Sequence, residues 1–161
     1  MLRTDLPPQH TDGPYRIAVV CLGNICLSPM AHVVLERRLT DSGLGDDVVV
    51  TSAGTAGWHT GKPMDPRAAA SLTAAGYDPT RHRAQQYAAS WTDTHDLVLV
   101  MDDSNLADVG GRTDRVAMFR DFDPDDPGAE VPDPYYGGHD GFEDVLAMVE
   151  RTSDHVVRLL A

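Results

Sequence analysis

Cys21-Leu22-Gly23-Asn24-Ile25-Cys26-Leu27-Ser28-Pro29 is the stretch whose reading decides the fold. Before it stands Arg16-Ile17-Ala18-Val19-Val20, a β-branched apolar run of the kind found in strands buried on both faces. Within it, Ser28 followed by Pro29 reads as a helix N-cap and first helical position. Ala31, Val34, Leu35 and Leu39 then recur at helical spacing, and Ser42-Gly43 ends the element. A turn between a strand and a helix lies where open α/β sheets bind ligands. Successive N–H groups in such a turn form an anion-binding nest, and the helix N-terminus adds partial positive charge. Gly23 lets backbone approach a ligand closely, and Asn24 tolerates the left-handed conformation. A thiol at Cys21 in that field favours the nucleophilic thiolate. From the residues alone, a buried structural thiol is an equal reading. The Gly-Lys-Ser/Thr ending of a nucleotide-binding loop is absent.

Outward from the loop the alternation continues. Residues 48–50 read as a second strand and 66–75 as a helix closed by Gly76. Residues 97–100 read as a third strand, about 104–109 as a helix, and 116–119 as a fourth strand. Phe142, Val145, Leu146, Val149, Val156, Val157 and Leu160 form the apolar stripe of a long last helix. This order predicts an α/β single domain, a central four-stranded parallel sheet with helices on both faces and the phosphate loop after strand 1. Residues 1–14, with three prolines and no periodicity, read as a flexible tail before a domain over 15–161.

The chain has 161 residues, enough for one domain with a real core. Its net charge of −12 argues against nucleic-acid and anionic-membrane partners, which reward clustered Lys and Arg. Two cysteines make no disulfide framework, no signal-peptide pattern opens the chain, and the apolar runs are strand-length. A cytoplasmic protein is expected. His59, His95, His139 and His155 lack metal-ligand spacing and read as ordinary surface or packing residues, so no metal is expected.

The string Cys-Leu-Gly-Asn-Ile-Cys, one residue, then Ser-Pro-Met-Ala closely resembles the phosphate loop of low-molecular-weight protein tyrosine phosphatases. Thr51-Ser52-Ala53-Gly54-Thr55, Trp58-His59, Asp65 with Arg67, His82, Met101-Asp102 and Asp133-Pro134-Tyr135-Tyr136-Gly137 match that family in order and spacing. The resemblance implies Cys21 as nucleophile and Asp133 as general acid, a division in which one carboxyl serves both halves of the hydrolysis. It implies Ser28 as the hydroxyl that stabilises the Cys21 thiolate. Leu22, Gly23, Asn24, Ile25 and Cys26 would form the phosphate-binding loop, supported by Asn24, Ser52 and His82. Trp58, Tyr135 and Tyr136 would wall a substrate pocket able to stack on a phosphotyrosine ring. No cofactor is implied. The implied partners are a phosphotyrosine-containing protein or small aryl phosphate, with inorganic phosphate or sulfate in the loop, bound by a monomer or weak dimer. Cys26 is either core packing or, as the resemblance suggests, a reversible disulfide partner of Cys21.

The sequence departs from the family pattern at Leu27, which stands where the family has Arg. That Arg forks around two phosphoryl oxygens, and Leu offers neither charge nor side-chain donor. By analogy with other phosphoryl-transfer arginines, its loss costs ~10³–10⁵ in rate, or about 4–7 kcal/mol of barrier. The chain is therefore expected to be either a phosphatase impaired by substitution or a pseudophosphatase that binds phosphotyrosine or regulates. Retention of Asp133 favours the former. Gln85 and His32 stand where the family commonly has Arg and Glu, outside the residues assigned to catalysis. Arsenate reductases on this fold use later cysteines, which are absent here, and protein-arginine phosphatases carry Thr where Ile25 stands.

Overall fold

The computed structural model describes residues 1–134 and 139–161. Four strands, β1 (Tyr15–Cys21), β2 (Val48–Gly54), β3 (Leu97–Val100) and β4 (Val116–Met118), form one sheet in the order β2-β1-β3-β4. All three pairings are parallel, with Val19 opposite both Ser52 and Leu99 and Val100 opposite Met118. The helices are α1 (Leu27–Asp41), α2 (Pro66–Ala74), α3 (Trp91–Thr94), α4 (Asp103–Asp108) and α5 (His139–Leu160), with a 3₁₀ turn at Phe119–Phe122.

The continuous apolar strands divide their side chains by the two-residue period of a pleated sheet. Ile17, Val19, Leu97 and Leu99 face the larger core, with Val34, Leu35 and Leu39 of α1 and Phe142, Val145 and Val149 of α5. Ala18, Val20, Val98 and Val100 face the opposite side, packed against Trp91, Leu106 and Val109. Each fully buried Val, Leu, Ile or Phe side chain among them contributes roughly 1.5–3 kcal/mol. Helices therefore cover both faces, as the alternation implied. No helix among the described residues is long and apolar enough to cross a membrane.

Boundaries differ from the sequence reading where tertiary contacts decide them. Strand β2 runs on through Gly54, because Thr51 to Gly54 stay registered with Ala18 to Cys21. Helix α1 starts at Leu27 with Cys26 as N-cap, so Ser28 and Pro29 occupy the second and third helical positions. Pro29 costs little there, since first-turn N–H groups have no partner inside the helix. The four-residue α3 was not foreseen.

Residues 1–14, read as a tail, contain no helix or strand but make specific contacts. Asp96 accepts from the His10 and Thr11 backbone N–H groups and from the Thr11 hydroxyl. Arg3 N–H donates to Asp121 O, and Tyr15 Oη to Pro7 O.

With β2 on one side of β1 and β3 on the other, the chain after β1 leaves toward one edge and later returns to the other. The loop after Cys21 thus sits at the switch point of the sheet, beyond its carboxyl end.

Candidate active site

Cys21 closes β1 and is 5% exposed. Its Sγ lies 3.0 Å from Ser28 Oγ and accepts the Asn24 N–H at 3.2 Å. Asn24 Nδ2 donates to Ser28 Oγ at 2.8 Å, and Ala53 O lies 3.4 Å from the same hydroxyl. The serine proton therefore has two destinations. When Cys21 is a thiol it donates to Ser28, which turns to Ala53; when Cys21 is a thiolate, the serine proton points at sulfur. This explains why Ser28 is not the helix N-cap, since its oxygen is turned to the cysteine.

Asn24 is fully buried and is the one non-glycine with positive φ among the described residues, at 56°. A left-handed residue inside a loop needs compensation. Here every polar group of Asn24 is used: its carbonyl accepts from His82 Nε2 at 2.7 Å, and its Oδ1 from the Gln85 N–H at 3.0 Å. Because a carbonyl only accepts, Nε2 of His82 carries the proton. Burial lowers the His82 pKa against the contribution of this hydrogen bond, which favours the neutral ring. Ser52 sits one step back, its carbonyl taking Gln85 Nε2 at 3.0 Å and its hydroxyl meeting His32 Nδ1 at 3.1 Å. His32 Nε2 in turn lies 3.3 Å from Glu36 Oε2, and this hydrogen bond lowers the Glu36 pKa.

The backbone N–H groups of Gly23, Ile25, Cys26, Leu27 and Ser28 have no acceptor among the described residues. Such a run of amides at a helix start suits an oxyanion. Gly54 lies directly beneath: a Cβ there would stand 2.7 Å from Leu22 O and 3.0 Å from Gly23 C. Only glycine lets β2 pass this close to the loop. A Cβ on Gly23 would stand 3.1 Å from the His59 ring.

The loop opens into a cleft of about 420 Å³ lined by Cys21, Gly23, Ile25, Leu27, Trp58 and Asp133, with Leu22, Cys26, His59, Asp65, Asp102 and Asn105 completing the wall. Cys21 and Asp133, far apart in sequence, thus share one cavity. Trp58 is 72% exposed at its rim. Tyr135 and Tyr136 lie outside the described residues. Leu27 is 6% exposed and belongs to the main apolar cluster. Burial pushes the Cys26 thiol up to about 12, with Asp65 the next contributor, so it is protonated at neutral pH. Both cysteines are free thiols. Asp65 and Asp102 cap α2 and α4, accepting from Arg67 N and Asn105 N. No His, Cys, Asp and Glu group among the described residues could hold a metal ion.

The family model for low molecular weight phosphotyrosine protein phosphatases matches residues 16–161. The chain belongs to this family. It is similar to the low molecular weight protein-tyrosine-phosphatase of Streptomyces coelicolor, 46% identical over 86% of this chain and 89% of the relative. Low molecular weight protein-tyrosine phosphatase A of Mycobacterium tuberculosis is 45% identical, over 85% of this chain and 86% of that one. Among solved structures, a protein tyrosine phosphatase from Entamoeba histolytica with Hepes in the active site superposes with a TM-score of 0.85, at 28% identity, covering 91% of this chain and 96% of that one. Vibrio vulnificus Wzb in complex with benzylphosphonate superposes with a TM-score of 0.78, at 25% identity, covering 91% and 99%.

Within this phosphatase fold, four residues near the site escaped the sequence reading. His32 and Gln85 were set aside as departures outside the catalytic set, yet both bond to Ser52, and Gln85 also to Asn24. Their departure from the pattern was itself the signal. His59, read as an ordinary surface or packing residue, forms part of the cleft wall. Gly54 stood in a quoted motif without a role, and only the approach of Leu22 explains it.

Proposed function

We propose that the cleft receives the phosphoryl group of phosphotyrosine or a small aryl phosphate, that Cys21 and Asp133 carry the hydrolysis, and that Leu27 leaves this chain catalytically impaired. In the first step Cys21 sulfur bonds to phosphorus, the phosphorus–phenol bond breaks, and the Asp133 proton passes to the leaving oxygen. In the second, Asp133 takes a proton from water, whose oxygen attacks phosphorus and releases Cys21 as thiolate. The Ser28 hydroxyl stabilises that thiolate in both steps, and the loop amides hold the phosphoryl oxygens. A reducing cytoplasm would keep the thiol free.

One observation carries this reading: Cys21 Sγ, held by Ser28 at 3.0 Å and Asn24 at 3.2 Å, opens on a cleft that Asp133 also lines. The naming of both kinds of relative as tyrosine phosphatases and the benzylphosphonate in Wzb support the aryl phosphate class. The impairment follows from charge. Asp65, Asp102 and Asp133 line the cleft, and no Lys or Arg stands among its described lining residues. A phosphate dianion therefore meets amides but no guanidinium fork.

A second reading, a pseudophosphatase that binds phosphotyrosine without turning it over, is favoured by the packing of Leu27. Its side chain is buried in the main core cluster, where an apolar residue is well accommodated. The two part on Leu27→Arg. Hydrolysis of an aryl phosphate should rise by ~10³–10⁵ if the chain is an impaired phosphatase; an unchanged rate with retained phosphotyrosine binding would establish the pseudophosphatase.

A further inference from the structure

Leu22 belongs to two cavities. On one side its wall faces the Cys21 cleft; on the other it bounds a groove of about 560 Å³ with Thr55, Tyr87, Ala89, Asp108 and Val109. Leu22 itself is 48% exposed, an apolar ridge between the two. Helix α4 follows the same path. Asn105 lines the cleft, and Asp108 and Val109, three and four positions on, line the groove. Residues at that spacing share one helix face, with Cβ atoms roughly 5–6 Å apart.

We propose that this groove holds the residues flanking the phosphotyrosine of a substrate protein and selects a basic side chain through Asp108. The proposal rests on the reading of the cleft as the phosphotyrosine site. A strand advances about 3.3 Å per residue, so a chain whose phosphotyrosine enters the cleft crosses the Leu22 ridge within roughly one to three residues. Asp108 is the one charged residue among the groove's described lining residues. It is exposed, and among the described residues its Oδ2 accepts one long hydrogen bond, from Thr55 Oγ1 at 3.3 Å. Ala89, Val109 and Leu22 offer apolar surface for the methylenes of a Lys or Arg whose head reaches that carboxylate. The protein's net charge of −12 favours the same partner from a distance, since it repels acidic peptides and attracts basic ones.

The test uses fluorescent phosphotyrosyl peptides that differ only in carrying Lys, Ala or Glu at each of the three positions on either side of the target. Binding is read by anisotropy with the chain as it stands, and kcat/KM with the Leu27→Arg protein. At one or more positions Lys should be favoured over Ala about 2–5-fold, the size expected of an exposed ion pair, and Glu disfavoured. The Lys-to-Glu ratio should fall in Asp108→Asn to the smaller value left by the protein's overall charge, and fall further in Asp108→Lys. It should also shrink in molar salt. A ratio near unity at every position, a ratio unmoved by both Asp108 variants, or peptides that do not bind at all would each overturn the proposal. Hydrolysis of a flankless aryl phosphate by Leu27→Arg reports separately on the cleft. Restored turnover with a flat peptide ratio sinks the groove alone; a ratio that follows Asp108 without turnover sinks the catalytic reading alone.

Discussion

Asn24 ties the loop together at the level of single atoms. Its N–H, carbonyl, Nδ2 and Oδ1 reach Cys21, His82, Ser28 and Gln85, and its φ of 56° is the turn that brings them there. Replacing it with Ala would keep an L residue in the left-handed region, at about 1–2 kcal/mol. It would also leave the Gln85 N–H without its acceptor and take one donor from the buried Ser28 Oγ, at roughly 1–3 kcal/mol for the buried group and less for the other. Asn24→Ala should therefore lower the unfolding midpoint clearly, and Asn24→Gly should recover the backbone part alone; equal midpoints for all three proteins would contradict this account. At this scale the sequence was most legible where one short segment holds the chemistry. Cys21, Gly23, Asn24 and Ser28 lie within one turn and its helix start, so their types and spacing could be read directly. Gln85 and His32 could not be read that way. They reach Ser52 from 33 and 20 residues away, and no local pattern encodes those contacts.

Elements announced themselves in proportion to their length. The stripe of α5 and the apolar runs of β1 and β3 were visible as periodicity. Helix α3 has only four residues and no buried member, too few for a period to show. The start of α1 was misplaced for a chemical reason, since a Ser before a Pro looks like a cap until its hydroxyl is needed elsewhere. The acidic run after β4 holds another buried device. Asp123 is fully buried and accepts from Arg120 Nε at 2.9 Å and from Arg151 Nε and Nη2 at 2.7 and 2.9 Å. Arg120 also donates to Glu130 O at 2.8 Å, which ties down the segment that leads to Asp133. Burial works against the Asp123 carboxylate, but the Arg151 bonds, the Asp125 N–H and the Arg120 bond outweigh it and hold its pKa at about 2. That is below the value of about 4 for an unfolded Asp. The network therefore stabilises the fold fully above pH ~4 and loses that contribution as pH falls toward ~2. Denaturant titrations across this window should show stability falling with acid, and Asp123→Asn should remove that share of the slope while lowering stability at neutral pH. An unchanged slope in the variant would show that the network does not carry it.

Across the whole molecule, the parallel order β2-β1-β3-β4 puts the Cys21 loop at the switch point, and distant segments complete the cleft around it. Asp65 and Asp102 reach it as helix caps, Trp58 from the connection after β2, and Asp133 from the chain beyond β4. The alternation of elements made this architecture legible, because a parallel sheet covered on both faces has few ways to connect. The anchoring of residues 1–14 was not legible, since its main acceptor, Asp96, lies more than 80 residues away and looks like any loop carboxylate. The account stands on covalent chemistry at one sulfur. Its most direct test is intact-mass and peptide-mass analysis of the Leu27→Arg protein quenched with acid during turnover of an aryl phosphate. The account predicts a single phosphoryl group on Cys21, absent from the same protein carrying Cys21→Ser. Turnover with no phosphoryl group on Cys21, or turnover that survives Cys21→Ser, would contradict it.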